Sequence, residues 1–536
     1  MIKAKRTHFC FFILSMTLLQ LFITGCKEIG PGSTESDTFR VTYNGNGADY
    51  GTVPIDSTEY TEGSTVTVLQ PGTLSRSGHS FIEWNTTIDG SGNAYESGST
   101  LTMPDEDIVL YAQWMFTNGV LDASFSGDGI AVFDLTEDDV AYAMTLDDSG
   151  NVFFTGLSDD GANADFITIK LLSNGSIDGT FGTDGMSIIE DPSGSVADET
   201  GYAIARDDSG NLIITGISGA YAGAIRLDQN GTWDTSFGTG GGILISDVDY
   251  SNTTANAMCY DNDGNILIAG SLDYDIEITE SNWVTTMGMA IWKFTGDGQA
   301  VSDFGTDGVA LYLPEPGGDL FYRARSITVD SSGNIYATGY VSEGTDRDIM
   351  IWKYDSAGQI DSDFGDEGVI LKEAVTGYDG RESGSCVIVD TDGGIIVLCN
   401  ASNGTDYDII LMKFNSEGTS DVSFGDSGKV IYANPLYSDG SESASCCAID
   451  TDGNIYLAGS IQVDSEYRMA IIKYTKEGVL YSGFGDAGTA VFNNSLLTGI
   501  NDSHAYWITV ISPTEIFASG YVYDGTNCDM AVWKYQ

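Results

Sequence analysis

An all-β chain, most of it a seven-bladed β-propeller of ~60-residue repeats preceded by a small β module, is what three features of the sequence predict. The first is the stretch Asp178-Gly179-Thr180-Phe181-Gly182-Thr183-Asp184-Gly185, versions of which recur seven times. Its phenylalanine returns at Phe125, Phe181, Phe237, Phe304, Phe364, Phe424 and Phe484, in steps of 56, 56, 67, 60, 60 and 60 residues. A fixed period of this size marks a repeat array. The second is the content of each unit, four short strands joined by tight turns, which is the content of a propeller blade. The third is that the array opens on a fourth-type strand at 129–133 and stops on a third-type strand at 530–535, so its two ends complete one blade and remove exposed edges.

Composition agrees with a turn-rich β protein. The 536 residues include 67 glycines against 9 prolines. With 78 acidic and 22 basic residues the formal charge is −56. Such a charge repels nucleic acid and anionic membrane surfaces and favours solubility, cations or basic partners.

Taken in order, the chain begins with Lys3, Lys5 and Arg6 and an apolar run from 9 to 23, the pattern of a secretion signal over residues 1–25. It ends in Ile23-Thr24-Gly25-Cys26, which resembles the lipobox of bacterial lipoproteins. That resemblance implies acylation at Cys26 and a chain held at the cell envelope, with the outer membrane or cell surface as its address; Lys27, rather than Asp, at the next position implies export to the outer membrane where there are two membranes. A plain signal peptide or a single membrane anchor is the alternative. Residues 26–37 read as a flexible tether.

Residues 38–115 alternate apolar and polar positions between Gly- and Asn-rich turns, the hairpin signature. The segments Val41-Thr42-Tyr43-Asn44-Gly45-Asn46-Gly47, Gly78-His79-Ser80-Phe81-Ile82-Glu83-Trp84 and Leu110-Tyr111-Ala112-Gln113-Trp114 are similar to the internalin-type B repeat, a small β-grasp-like surface module. Trp84 and Trp114 are expected in its core.

From 118 to 536 each unit runs through a small-residue stretch into a strand, an Asp-x-x-Gly-Asn turn, a second strand ending in Gly, a variable loop, a third strand ending in Lys-aromatic, the Phe-Gly turn and a fourth strand. In the second unit these are 202–206, the turn Asp207-Asp208-Ser209-Gly210-Asn211, 212–215 and 224–227, with 186–189 contributed just before. This array resembles the delta-60 repeat of bacterial secreted proteins. Ala141, Gly201, Ala255, Gly384 and Ala444, with Ser445 and Ala505 close by, are small where inner strands crowd an axis. Every third strand carries one cation: Lys170, Arg226, Lys293, Lys353, Lys413, Lys473 and Lys534. Ion pairs with Asp122, Asp178, Asp234, Asp361 and Asp421 before the Phe-Gly turn are expected; Val301 and Tyr481 stand in the other two units. A basic binding stripe is the alternative.

The chemistry-bearing residues are few. The Asp-rich turns invite calcium, but a calcium loop continues to a bidentate Glu where these run into an apolar strand, and hairpin turn chemistry explains the same residues. Cys386 and Cys399 flank a hairpin and either face each other across it or are small core residues. His8, His79 and His504 are the three histidines, no nucleophile, zinc or phosphate motif occurs, and the expectation is a protein that is not an enzyme and has no cofactor, metal or catalytic residue. Recognition is expected on the face with uneven loops, at Tyr274, Trp283, Phe321, Tyr322, Tyr378 and Tyr437. The reading is therefore an envelope surface protein acting as a binding or adhesion module for a protein or glycan. A hydrolase or lyase with paired carboxylates in the central channel, or a structural spacer, is the alternative.

Overall fold

The computed structural model describes residues 37–536 except 77–78, 117–118, 136, 160, 190–197, 219–220, 246–252, 280–281, 314–319, 374, 378–379, 433 and 435–439. The signal, Cys26 and nearly all of the tether lie outside the described residues.

The first module is a four-stranded sheet with Val41–Asn44 parallel to Ile108–Phe116, which pairs antiparallel with His79–Asn85, itself paired with Ala94–Tyr95. Trp84 is fully buried at its centre, edge-on to Tyr43 at 4.7 Å, and its indole N–H donates to the Leu69 carbonyl at 2.9 Å. Trp114 is half-buried against Phe81 and donates to the Gly45 carbonyl at 3.0 Å. Both indole N–H groups are satisfied inside the module, as expected of core tryptophans.

The rest is seven four-stranded antiparallel sheets, and no sheet closes on itself. Sheet 1 consists of Asp139–Leu146, Val152–Asp159, Ala164–Leu171 and Met186–Ile189. Sheets 2 to 6 repeat this order, their first strands being Glu199–Arg206, Thr254–Tyr260, Leu320–Val329, Glu382–Val389 and Glu442–Ile449. Sheet 7 takes Asp502–Ser512, Glu515–Tyr523 and Cys528–Tyr535 from the end of the chain and Ile130–Phe133 from before sheet 1, with Met530 opposite Phe133 and Trp533 opposite Ile130. The expected strand exchange is present. Each first strand packs against the next sheet's first strand, and that of sheet 7 packs against that of sheet 1, so the order is cyclic.

The recurring phenylalanines explain how sheets join. All seven are buried. The residue after each sits in a tight turn, and in six of the seven its N–H bonds into the hairpin of the following sheet: Gly182 to the Asn230 carbonyl at 2.7 Å, Gly305 to Ala357 at 2.7 Å, Gly365 to Glu417 at 3.0 Å. Ser126, on the strand that completes sheet 7, makes the same bond to Asn174 of sheet 1 at 2.7 Å. The cyclic order is thus carried by hydrogen bonds as well as by packing.

Four of the third-strand cations, Arg226, Lys293, Lys353 and Lys473, lie over these rings, and Lys170 and Lys534 lie over Phe153 and Phe517 of their own sheets. Arg226 is 4.9 Å from the Phe237 centroid, Lys293 5.5 Å from Phe304 and Lys353 5.7 Å from Phe364. Lys170–Asp178, Arg226–Asp234 and Lys353–Asp361 pair at 2.8, 2.7 and 2.8 Å, and Lys534–Asp122 at 3.3 Å. In the units carrying Val301 and Tyr481 the acid comes instead from the first hairpin turn: Lys293–Asp261 at 2.8 Å and Lys473–Asp450 at 3.9 Å. Lys413 also corrects the expectation, standing 2.6 Å from Asp390 and 4.0 Å from Asp421. An ammonium removed from water requires a carboxylate, and either turn is near enough to supply one.

The Asp-x-x-Gly turns use their aspartates locally. Asp147 accepts from the Ser149 and Asn151 backbone N–H groups and from the Asn151 amide, each at 2.8–2.9 Å, and Asp207, Asp261, Asp330 and Asp450 repeat the arrangement. Such turns fix the hairpin through the side chain.

One expected loop is not a loop. Residues 272–287 continue the hairpin of sheet 3, whose middle strands Ile266–Thr279 and Asn282–Phe294 are 14 and 13 residues long. The alternation Leu272-Asp273-Tyr274-Asp275-Ile276-Glu277-Ile278 has period two, the sequence pattern of a strand, which sustains pairing.

Buried acids latch the segments that lead into the first strands. Asp139 accepts from the Leu135 N–H at 2.8 Å and Glu382 from the Val375 N–H at 2.7 Å. Glu442 occupies the equivalent buried position, and burial, with help from Asp408 and Asp406, pushes its carboxyl up to about 7 despite the Asn434 amide.

Two outcomes test this account. Phe364→Ala should lower stability by about 3–5 kcal/mol, read as a lower urea midpoint, because it empties a fully packed site that also seats Lys353. Glu442 has a folded-state pKa above its unfolded one, so its contribution is fully present below the ordinary glutamate pKa and is lost as pH rises through about 7. The difference in melting temperature between the wild type and Glu442→Gln should therefore change between pH 5 and pH 8, with the wild type relatively weaker at pH 8.

Candidate functional site

The seven first strands share one irregularity. In each, the pairing register with the second strand slips by one residue, between Ala141 and Ala143, Gly201 and Ala203, Ala255 and Ala257, Ala324 and Ser326, Gly384 and Cys386, Ala444 and Cys446, and Ala505 and Trp507. A β-bulge leaves one residue unpaired and re-aims its side chain. The bulged residues are Tyr142, Tyr202, Asn256, Arg325, Ser385, Ser445 and Tyr506, and all seven line a single cavity of about 480 Å³. The bulge also dictates its neighbours. At Gly339, a Cβ would stand 1.9 Å from the Arg323 carbonyl, so the residue opposite the bulge in sheet 4 has to be glycine.

The lining is asymmetric. Tyr142 lies edge-on to Tyr202 with centroids 5.4 Å apart and tilted against Tyr506 at 4.8 Å, which forms an aromatic wall across sheets 7, 1 and 2. Burial pushes the Tyr506 hydroxyl up to about 12 and that of Tyr142 higher still, so both are neutral donors at ordinary pH. On sheets 3 and 4, the Arg323 guanidinium donates to the Asn256 side-chain oxygen at 3.3 Å, and Asn256 donates to the Ala324 carbonyl at 2.8 Å. On sheets 5 and 6, Asn400 bridges the Ser385 hydroxyl and the Ala444 carbonyl, each at 2.8 Å. Just behind the wall, His504 bonds Ser445 at 3.0 Å through Nε2 and Ser460 at 2.8 Å through Nδ1. Burial pulls its imidazole down to about 4, so it is neutral at pH 7.

Cys386 and Cys446 also reach the cavity wall, with sulfurs 3.9 Å apart across adjacent sheets. Cys399 instead faces Gly384 in its own hairpin, so the two cysteines considered from the sequence as a facing pair are out of register, and both are buried. The described lining contains no Asp or Glu.

The residues expected to bind ligand fall elsewhere. Tyr322 is in a strand, 8% exposed, edge-on to Tyr312 and Trp352, and is a core residue rather than a loop contact. Its neighbour Phe321 is 40% exposed. The backbones of Tyr274 and Trp283 lie in the long hairpin, opposite Thr286 and Glu277. Tyr378 and Tyr437 lie outside the described residues, as does Cys26. The bulged residues went unnoticed in the sequence although a signal was present: each stands directly after the small residue of the first strand, as in Ala141-Tyr142-Ala143, Gly201-Tyr202-Ala203 and Ala255-Asn256-Ala257.

Residues 39–113 match the Listeria-Bacteroides repeat domain. Two proteins of Evansella cellulosilytica, named "Putative membrane protein" and "Putative Gly-rich membrane protein", are 42% and 39% identical over 85 and 94 residues, which is 16% and 17% of this chain and only 13% and 10% of theirs. Among solved structures, a protein of unknown function from Dyadobacter fermentans matches at 11% identity and a TM-score of 0.40, over 76% of this chain and 99% of its own. An ulvan-cleaving polysaccharide lyase matches at 11% identity and 0.43, over 74% and 97%. Likenesses this weak assign no activity, but the presence of a lyase among them overturns the expectation that a histidine-poor all-β array is not an enzyme, and that exclusion is withdrawn.

Because His504 is held neutral by burial, its ring resonances should show no protonation between pH 8 and about pH 5, beginning to move only below that. A midpoint near 6.5 in an NMR titration would show a wetter site than the one described. The chain carries, at residues 39–113, a repeat module similar to the Listeria-Bacteroides repeat domain, joined to an all-β array of four-stranded sheets.

Proposed function

We propose that this is an envelope-anchored binding protein, acylated at Cys26, whose array of residues 118–536 is a seven-bladed β-propeller of the delta-60 kind and whose ligand seat is the central cavity. Residues 1–25 act as the signal, 26–37 as the tether and 38–115 as a surface module close to the membrane. The cyclic packing of first strands and the strand shared between the two ends of the array support the propeller. The names of the two Evansella relatives support a membrane-associated setting.

One observation carries the assignment of the seat: seven bulges, one per sheet, turn seven side chains of four chemical kinds into the same space. A purely structural repeat has no use for variety at that position, whereas a ligand site does, since rigid scaffolds present recognition at their irregular points. The exposed Phe321 and the long hairpin bearing Tyr274 and Trp283 give a second surface on the rim for a larger partner.

The full chain in detergent should give a saturable signal on glycan and envelope-protein arrays. Tyr142→Ala and Tyr506→Ala should each weaken capture by about 1–3 kcal/mol without changing circular dichroism. Trp283→Ala combined with Tyr274→Ala tests the rim. Loss of capture only in the rim variant would move the seat out of the cavity, and silence across all arrays would remove the binding reading.

A further inference from the structure

We propose that the cavity is an anion site, in which Arg323 and Arg325 take the carboxylate of an acidic sugar of one or two rings while Tyr142, Tyr202 and Tyr506 face the sugar ring. This deepens the reading of the cavity as the ligand seat and rests on it.

The argument begins with where the positive charge of the chain goes. Only 22 residues are basic, against 78 acidic ones. Seven are the third-strand cations, each beside an acid. Arg40, Arg206 and Arg468 also have carboxylates within 4 Å. Arg323 and Arg325 do not, and they share this with Arg76, Arg347, Lys372, Arg381, Lys429 and Lys476 among the described residues; what sets the two apart is that both line the cavity. Their company is cationic and aromatic. Arg325 lies 5.5 Å from the Tyr340 ring centroid, and Arg347 lies 4.5 Å from the same ring.

Two guanidinium groups over one tyrosine, with Arg323 beside them on the cavity wall, concentrate positive charge that an anion would relieve. The Arg325 side chain is open to solvent at the cavity, with Arg323 and Arg347 close enough to oppose its charge. Arginine does not give up its proton in practice, so the unmet charge persists and calls for a counter-charge. In a protein of net charge −56, the described lining sets two arginines at the cavity with no acid among its residues, which suits an anionic ligand.

The rest of the lining defines the ligand further. Sheet 4 lies across the cyclic order from sheets 7 and 1, so the arginines face the tyrosine wall. An inorganic anion would meet the arginines and leave the tyrosines unused. A carboxylate on a ring uses both, with the planar guanidinium matching the carboxylate fork and aromatic faces covering the C–H face of the sugar. Asn256, Ser385, Ser445 and Asn400 supply hydroxyl-scale partners around the circumference. About 480 Å³ fits a mono- or disaccharide and is far too small for a folded partner. A single negative charge also meets less repulsion from the acidic exterior than a phosphate dianion would.

The test is calorimetric titration of the full chain in detergent with sodium D-glucuronate and sodium D-galacturonate, against D-glucose, sodium acetate and adenosine monophosphate. At least one uronate should bind saturably, D-glucose should not, and acetate should bind more weakly than the uronate. Arg325→Gln and Arg323→Gln should each weaken the uronate about tenfold or more, with Arg325→Lys keeping part of the affinity and Arg206→Gln keeping all of it. Uronate affinity unchanged in both glutamine variants would overturn the proposal, as would equal binding of glucose, tighter binding of the nucleotide, or no uronate binding at all. If those failures occur while another glycan is captured in a Tyr506-dependent way on the arrays, the cavity remains the seat and only its anionic character is lost.

Discussion

The structure depends on a buried cation held beside an acid, repeated seven times and in six of them set over an aromatic ring as well. A lysine or arginine at the end of each third strand gives up most of its water, and the desolvation is tolerable only with a carboxylate within reach. Where the acid before the Phe-Gly turn is replaced by Val301 or Tyr481, Asp261 and Asp450 supply the charge from a turn on another edge of the same sheet. The requirement is therefore for charge balance at a point in space, not for a residue at a position in sequence. Around that point stand the phenylalanine that fills the core and, after it, the N–H that ties one sheet to the next.

This arrangement separates invariance from variety. The hubs lie at one edge of the sheets and repeat closely, so successive first strands reach the centre in one register and bulge at one level. What the bulges present is then free to differ: tyrosines in sheets 1, 2 and 7, asparagine in sheet 3, arginine in sheet 4 and serines in sheets 5 and 6. Chemical individuality sits at the centre and repetition outside it. The distribution of charge follows the same division, with acids over the exterior and two unpaired arginines within.

Much of this was legible in the sequence because it was written seven times. The period, the four-strand unit, the third-strand cations and the completion of sheet 7 by 130–133 all follow from local patterns that recur, and recurrence separates signal from accident. The cavity was not legible, since a bulged residue looks like any other strand position until the pairing register is known; Tyr142 and Arg325 carry no mark beyond the small residue before them. Tyr322 misled because its alternating surroundings suit a loop with aromatics as well as an inner strand, and burial distinguishes the two. The acids of Lys293 and Lys473 were hidden for a related reason, as they lie 32 and 23 residues away along the chain and meet the ammonium only when the hairpin folds.

The strand Ile130–Phe133 leaves the ribosome long before its partner Met530–Trp533 exists. At about 5–20 residues per second, the roughly 400 residues between them correspond to about 20–80 seconds in which the last sheet lacks its fourth strand and sheet 1 lacks a neighbour on one side. During that interval the growing chain carries an unpaired edge at its first strand, so the order of synthesis, and not only the final packing, decides when the last sheet can be completed.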